Sequence, residues 1–275
     1  MTQYFGFVAI LDALGISNYK LEEASKFLIN KNALLQELES HNLEITDYIN
    51  KNILPSPNNI AFPKGVISTF GDTIIVHWII DPKIVNWVAP GIFLWLQRAI
   101  VRGIYHNILL RGAVSFGDYL VDGDASILGP ALADAYAWSE QADWFGVLLT
   151  PNCKFAMSNF FDNPDLSEIN YGREDWCVLY PEVPLHDGIK PMIVVSWPQF
   201  FLETANKNLD GSVIFSLLLG AFSIPKGVES KYENSLKFLK WYEKNIYPKF
   251  VIDKSGLERK KSNQENLIWP PKREL

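Results

Sequence analysis

The stretch YFGFVAIL, residues 4–11, restricts this chain most severely, because eight residues without one charge run straight into Asp12 and the turn-forming ALGIS that follows. A continuous apolar run with β-formers and a glycine at its exit suits a strand covered on both faces, with neighbours on both sides. Residues 4–12 are therefore expected to form a central strand that delivers one carboxylate to its end. A second segment presents an acid in the same way. VISTF and TIIVHW flank Gly71-Asp72, a turn signal between two short strands, which puts Asp72 at a hairpin tip.

Between these strands, LEEASKFLINKNALLQELESHNLEITDYINKNI carries apolar residues at three- and four-residue intervals, predicting an amphipathic helix or a broken pair. NILPSPNNIAFPKG is a proline- and asparagine-rich loop. A second helix is expected from just after Pro82 to about Tyr105. NILLRGAVSFGDYLV is read as a strand, ILGPALADAYAWSEQA as a helix opened by Gly129-Pro130, and WFGVLLTP as another strand. The order strand, helix, hairpin, helix, strand matches a ferredoxin-like, split β-α-β α+β fold: an antiparallel sheet with helices on one face. Beyond about Asn159 the pattern weakens to a strand-like KPMIVVSW, a late amphipathic helix in SKYENSLKFLKWYEKNIYPKF and a charged tail from Asp253. This divides the chain into a core over 1–160 and a C-terminal α/β extension over 161–275.

Two acids at neighbouring strand ends could converge, and paired carboxylates suit hard cations. Two divalent ions about 4 Å apart can activate an attacking oxygen and offset the charge of a phosphate. Taken singly, each acid is more readily an ordinary solvated turn residue; it is the shared context, both following apolar β-runs, that favours the pair. DALGIS adds backbone N–H groups at a helix entrance, where phosphates are favourably held. The net charge of −6 disfavours a nucleic-acid duplex or an anionic membrane as partner while leaving room for a mononucleotide. With 48% hydrophobic and 20% charged residues the balance is that of a soluble globular protein. The apolar start is too short to span a bilayer, and GIFLWLQRAIVRGIYHNILL is interrupted by Arg98 and Arg102. Cys153 and Cys177 lack metal-ligand spacing and read as buried thiols in a reducing, cytoplasmic setting.

Asp-x-x-Gly-apolar-Ser after the first strand, Gly-Asp at the hairpin and a later strand leading to a Gly-initiated helix resemble the class III nucleotidyl cyclase domain. More closely, ILDALG, STFGDTIIV, LRGAVSFGDYL and GPALADAYAWSEQA resemble the bacterial Pycsar pyrimidine cyclases, over about residues 4–150. The resemblance implies cyclisation of a nucleoside triphosphate, CTP or UTP, to a 3',5'-cyclic mononucleotide and pyrophosphate as an antiphage signal read by a cyclic-nucleotide-responsive effector. It implies two Mg2+ or Mn2+ ions on Asp12, the Ala13 backbone and Asp72, and substrate contacts from Ala13, Leu14, Gly15, Ile16 and Ser17. It also implies a homodimer with composite active sites.

Two departures accompany it. Where purine cyclases of this class place a base-reading lysine, this chain has Ser68, which is compatible with a pyrimidine. Where they carry an asparagine and an arginine on the later helix, it has Ala133 and Ala137. Arg111, in an otherwise apolar strand, is the candidate to replace that role, an internal ion pair being the equal alternative. Tyr136 and Glu140 could contact a base or ribose, with helix packing and a surface acid as the plainer reading. The other class of function is a catalytically silent module that binds a nucleotide or a protein. Asp118, Asp122 and Asp124 are read as solvated turn acids, and His41, His77, His106 and His186 receive no role. The nine tryptophans are read as core packing or a subunit interface.

Overall fold

A computed structural model describes residues 2–16, 20–52, 62–122, 126–158, 176–204 and 227–247. Strand β1 (Thr2–Ala13) leads into helix α1 (Leu21–Asn52), the hairpin β2 (Val66–Phe70) and β3 (Thr73–Ile79), helix α2 (Val85–Tyr105) and the long strand β4 (Leu110–Asp122). A short β5 (Ser126–Leu128), α3 (Pro130–Gln141), β6 (Gly146–Leu149) and α4 (Pro151–Ala156) follow. The chain continues with β7 (Cys177–Leu185), β8 (Gly188–Val195), α5 (Trp197–Thr204) and α6 (Glu229–Asn245).

The strands form one eight-stranded sheet in the order β2-β3-β1-β4-β6-β8-β7, with β5 paired to β4. Its first four strands are antiparallel, and β3 separates β1 from β2, which is the expected split β-α-β arrangement. β6 joins β4 in parallel, and β8 and β7 extend the sheet antiparallel from there.

The uninterrupted apolar run of β1 has its cause in this position. Phe7, Ala9 and Leu11 pack with α1 and α2 in the main core, while Val8 packs on the opposite face with Tyr119, Ile127 and Ala131. Helices therefore lie on both faces, where the sequence led us to expect one. The small residues Ala131 and Ala135 of α3 are buried against a face that β4 and β1 supply. The tight β1–β4 pairing needs Gly112, since a Cβ there would stand 2.0 Å from the carbonyl oxygen of Ile10. Of the two helical possibilities for residues 21–53, one continuous α1 forms.

The C-terminal elements share this core. Trp144 stacks on Tyr180 at 5.8 Å and meets Phe238 of α6 edge-on at 4.9 Å. Trp78, Trp95, Trp144 and Trp197 are all fully buried, consistent with packing. β7 was not foreseen, because CVLYPEVPL carries two prolines. As an edge strand with a register shift between Tyr180 and Val183 it tolerates them. The expected boundary near residue 160 falls outside the described residues. Cys153 and Cys177 are buried thiols outside any disulfide, and burial raises the pKa of Cys153. Among the described residues, no helix is long and apolar enough to cross a membrane.

Candidate functional site

Register assembles the site. Asp12 pairs with Thr73 on one side and Arg111 on the other, so three polar side chains from β3, β1 and β4 lie in one row across the sheet. The row sits at the sheet end where β1 exits and the β2–β3 hairpin turns. The Thr73 hydroxyl donates to Asp12 Oδ1 at 3.2 Å. Arg111 donates to Asp12 Oδ2 through Nε at 3.3 Å and Nη2 at 3.1 Å. Its Nη2 also reaches Glu140 Oε1 of α3 at 2.9 Å, and its Nη1 reaches the Ala142 carbonyl at 3.4 Å. The guanidinium side chain is only 11% exposed and bridges a 19% exposed Asp12 and a 48% exposed Glu140. The sequence offers an ion pair or a phosphate contact for Arg111; the structure shows the ion pair.

Asp72 occupies the hairpin turn, directly after Gly71, whose φ of +59° lies in the left-handed region that glycine adopts without a Cβ clash. Its carboxyl pKa is raised, first by burial and second by the charge of Asp12. Asp72, next to the Thr73 that pairs with Asp12, thus lies close enough to Asp12 for that charge to oppose its ionisation. Beneath the turn, Lys31 of α1, 6% exposed, donates its ammonium to the Gly71 carbonyl. Burial lowers the Lys31 pKa, and the nearby Asp72 partly offsets this.

The donor set fits a divalent cation of the magnesium type, which takes one or two carboxylates and fills its remaining positions with water and phosphate oxygens. The charge of Asp12 raising the Asp72 pKa is the observation behind that fit, since a cation held by both carboxylates would favour the ionised form of Asp72. Among the described residues no third acid, histidine or cysteine joins them in a metal-holding group.

The remaining expected residues distribute as follows. Ala13 ends β1 and is buried, and the Leu14 N–H is committed to the Leu109 carbonyl at 2.9 Å. Gly15 turns at φ +81° and Ile16 is half-buried, while Ser17 lies outside the described residues. Ser68, half-buried on β2, shares the sheet face of Asp12 in the adjoining row, through its pairing with Ile75 and that residue's with Ile10. Two strand spacings separate it from β1, about 10 Å. Tyr136 is 58% exposed and is not brought into the cluster. Ala133 and Ala137 present methyl groups on exposed positions of α3. Asp118 accepts from Gln3 at 3.2 Å on the surface, and Asp124 lies outside the described residues.

Two lysines escaped sequence reading. Lys31 carries no local signal beyond its place in a charged amphipathic helix. Lys231 comes from α6, far along the chain, and its half-buried ammonium is brought into the electrostatic reach of Arg111, Asp143, Asp12 and Glu140.

No known protein family is matched by the sequence, and no curated protein matches it. Among solved structures, the chain is similar to the catalytic core of a rhodopsin-guanylyl cyclase with converted specificity in complex with ATPalphaS. That likeness has 12% identity over 70% of this chain and 97% of that one, with a TM-score of 0.42. The guanylyl cyclase Cya2 is similar at 10% identity over 70% of this chain and 91% of its own, with a TM-score of 0.39. At such values the reading of the site rests on its own residues.

Proposed function

We propose that this protein is a nucleotidyl cyclase, converting a nucleoside triphosphate to a 3',5'-cyclic mononucleotide and pyrophosphate. The observation that carries the reading is the convergence of Asp12 and Asp72, from a strand end and a hairpin turn, beside a nearly buried Arg111. In the reaction the ribose 3'-hydroxyl oxygen bonds to the α-phosphorus while the bond from that phosphorus to the β-phosphate's bridging oxygen breaks. Pyrophosphate leaves with the electron pair, and the hydroxyl proton passes to solvent. Such chemistry needs alignment and charge neutralisation rather than a protein nucleophile.

Asp12, Asp72 and the Ala13 backbone are the groups that would hold Mg2+ or Mn2+, which when bound supplies Lewis-acid polarisation of the phosphate oxygens and lowers the pKa of the attacking hydroxyl. Arg111 steadies the α-phosphate once the incoming anion competes with Asp12 and Glu140 for its donors, in the role the two alanines of α3 leave vacant. The hairpin fixes Asp72, and Thr73 orients Asp12. Ser68, short and neutral on the same sheet face, favours a pyrimidine, CTP or UTP, by leaving out a long cationic base reader. The resemblance to Pycsar cyclases extends this to an antiphage signal with a cyclic-nucleotide-responsive effector. A homodimer with composite sites is supported by the apolar edge of the same face, where Phe70 is 83% exposed and Val66 44%.

A second reading, the catalytically silent nucleotide-binding or protein-binding module, is favoured by one observation: Arg111 is already neutralised by Asp12 and Glu140. Incubation with each of ATP, GTP, CTP and UTP plus Mn2+, followed by mass spectrometry, separates the two. A cyclic product, lost by more than about 1,000-fold in Asp12→Ala and Asp72→Ala proteins that keep the native circular dichroism, supports the cyclase. Nucleotide binding with no cyclic product from any of the four supports the silent module.

A further inference from the structure

Resting on the nucleoside triphosphate reading above, we propose that Lys231 binds the substrate's β- and γ-phosphates, so that α6 completes the site from within the same chain. The placement is geometric. α6 docks its first turns on the segment that follows α3: Asn234 Nδ2 donates to the Asp143 carbonyl at 2.9 Å, and the Ser230 hydroxyl reaches Asp143 Oδ1 at 3.5 Å. The Phe145 N–H donates to the Ser235 hydroxyl at 2.9 Å. Arg111 donates to the carbonyl of Ala142, the residue before Asp143, and pairs in the sheet with Gly146. Lys231, between the two α6 residues that hold Asp143, is thereby fixed beside the guanidinium of the candidate site.

Charge then selects the ligand. Four carboxylates surround this end of the sheet: Asp12, Asp72, Glu140 and Asp143. Arg111 is shared by two of them, and Lys31 is held by the Gly71 carbonyl. The Lys231 ammonium makes no hydrogen bond or ion pair with the described residues. Burial, and after it the charge of Arg111, lowers the pKa of Lys231, against the opposing pull of Asp143, Asp12 and Glu140. A half-buried cation disfavoured by a neighbouring cation gains most from an arriving polyanion, and an ammonium is suited to phosphate as a compact point charge. The α-phosphate belongs to the Arg111 row, which leaves the outer phosphates to Lys231.

The test uses the full chain with Mn2+ and the four 3'-deoxyribonucleoside triphosphates, which lack the attacking hydroxyl, alongside their monophosphates, titrated by calorimetry. Loss of one charge-assisted hydrogen bond corresponds to roughly a tenfold or greater loss of affinity. Lys231→Met, and Lys231→Gln as a polar counterpart should the first fail to fold, are expected to weaken triphosphate binding by that factor and to leave monophosphate binding unchanged. Lys231→Arg is expected to restore most of it. Triphosphate affinity equal to wild type in the Met or Gln protein overturns the proposal alone, as does an equal loss for mono- and triphosphates. Absence of any triphosphate binding by the wild-type protein overturns the site reading together with it.

Discussion

One face of the sheet carries two polar clusters on the same three strands, and they are built on opposite principles. At the hairpin end, Asp12, Thr73 and Arg111 form a row in which two carboxylates converge. Four residues further along, His77 and Ser115 flank Val8, with His77 Nδ1 3.2 Å from the Tyr119 hydroxyl and the Ser115 hydroxyl donating to Asp134 at 2.6 Å. Burial lowers the His77 pKa and raises that of Tyr119, so that both stay neutral. The second cluster satisfies its polar atoms and sets no like charges against each other, Asp134 being its one acid and holding the Ser115 donor. The first leaves like charges opposed, a state that a folded protein keeps where a ligand resolves it.

The harshest test of this contrast removes Arg111. Arg111→Met leaves Asp12 and Glu140 without their shared cation, with Asp12 still facing Asp72. Breaking a largely buried pair in this way costs about 3 kcal/mol. The expected result is a clear drop in the denaturation midpoint together with loss of turnover. A midpoint equal to wild type would mean that Asp12 was never under electrostatic load, and the distinction between the clusters would vanish.

The next largest effect comes from a divalent cation. A ligand that binds only the folded state adds about 2.7 kcal/mol at a hundred times its dissociation constant. Mn2+ is expected to raise the thermal midpoint of wild type and not that of Asp72→Asn. The pH dependence has a definite sign. The pKa of Asp72 is raised in the folded state, so its stabilising contribution is complete below the ordinary carboxylate value and is lost as pH rises through the raised one. The metal-free wild type should therefore weaken over that window, and Asp72→Asn should flatten the change. The Mn2+ effect should grow over the same window as Asp72 ionises. Melting curves at several pH values, with and without Mn2+, check all three outcomes.

How much of this could be read from the chain follows from what each part depends on. The central strand, the hairpin and both aspartates were legible, because local pattern dictates them: an apolar run with no polar face must be covered twice, and Gly71-Asp72 must turn. The convergence of the two acids followed from the split β-α-β order. α3 on the second face was not legible, since Ala131 and Ala135 read equally well against either face. β7 was hidden by Pro181 and Pro184, which only an edge position excuses. Lys231 was invisible for a different reason: its relevance depends on where α6 docks, and the Asn234 and Ser235 contacts that set this have no signature in the sequence. Arg111 stood between two readings because a guanidinium in an apolar strand announces a need for an anion without naming which one.

The smallest predicted effect is the one that isolates charge from burial. Tyr119 is more buried than any group in the hairpin-end row, at 1% exposure, so Tyr119→Phe perturbs a position on the same face that is at least as desolvated. It removes the hydroxyl opposite His77 Nδ1 and leaves no ionised partner behind, so the expected cost is about 1 kcal/mol, the net value of a neutral hydrogen bond. Turnover should be unchanged. The comparison with Arg111→Met is then direct, since both changes delete a buried polar group from β4 and differ mainly in whether a charge is stranded. Denaturation midpoints and turnover measured side by side for the two proteins decide the matter. Equal destabilisation would attribute the Arg111 effect to burial, and a turnover loss in Tyr119→Phe would draw the His77 cluster into the site.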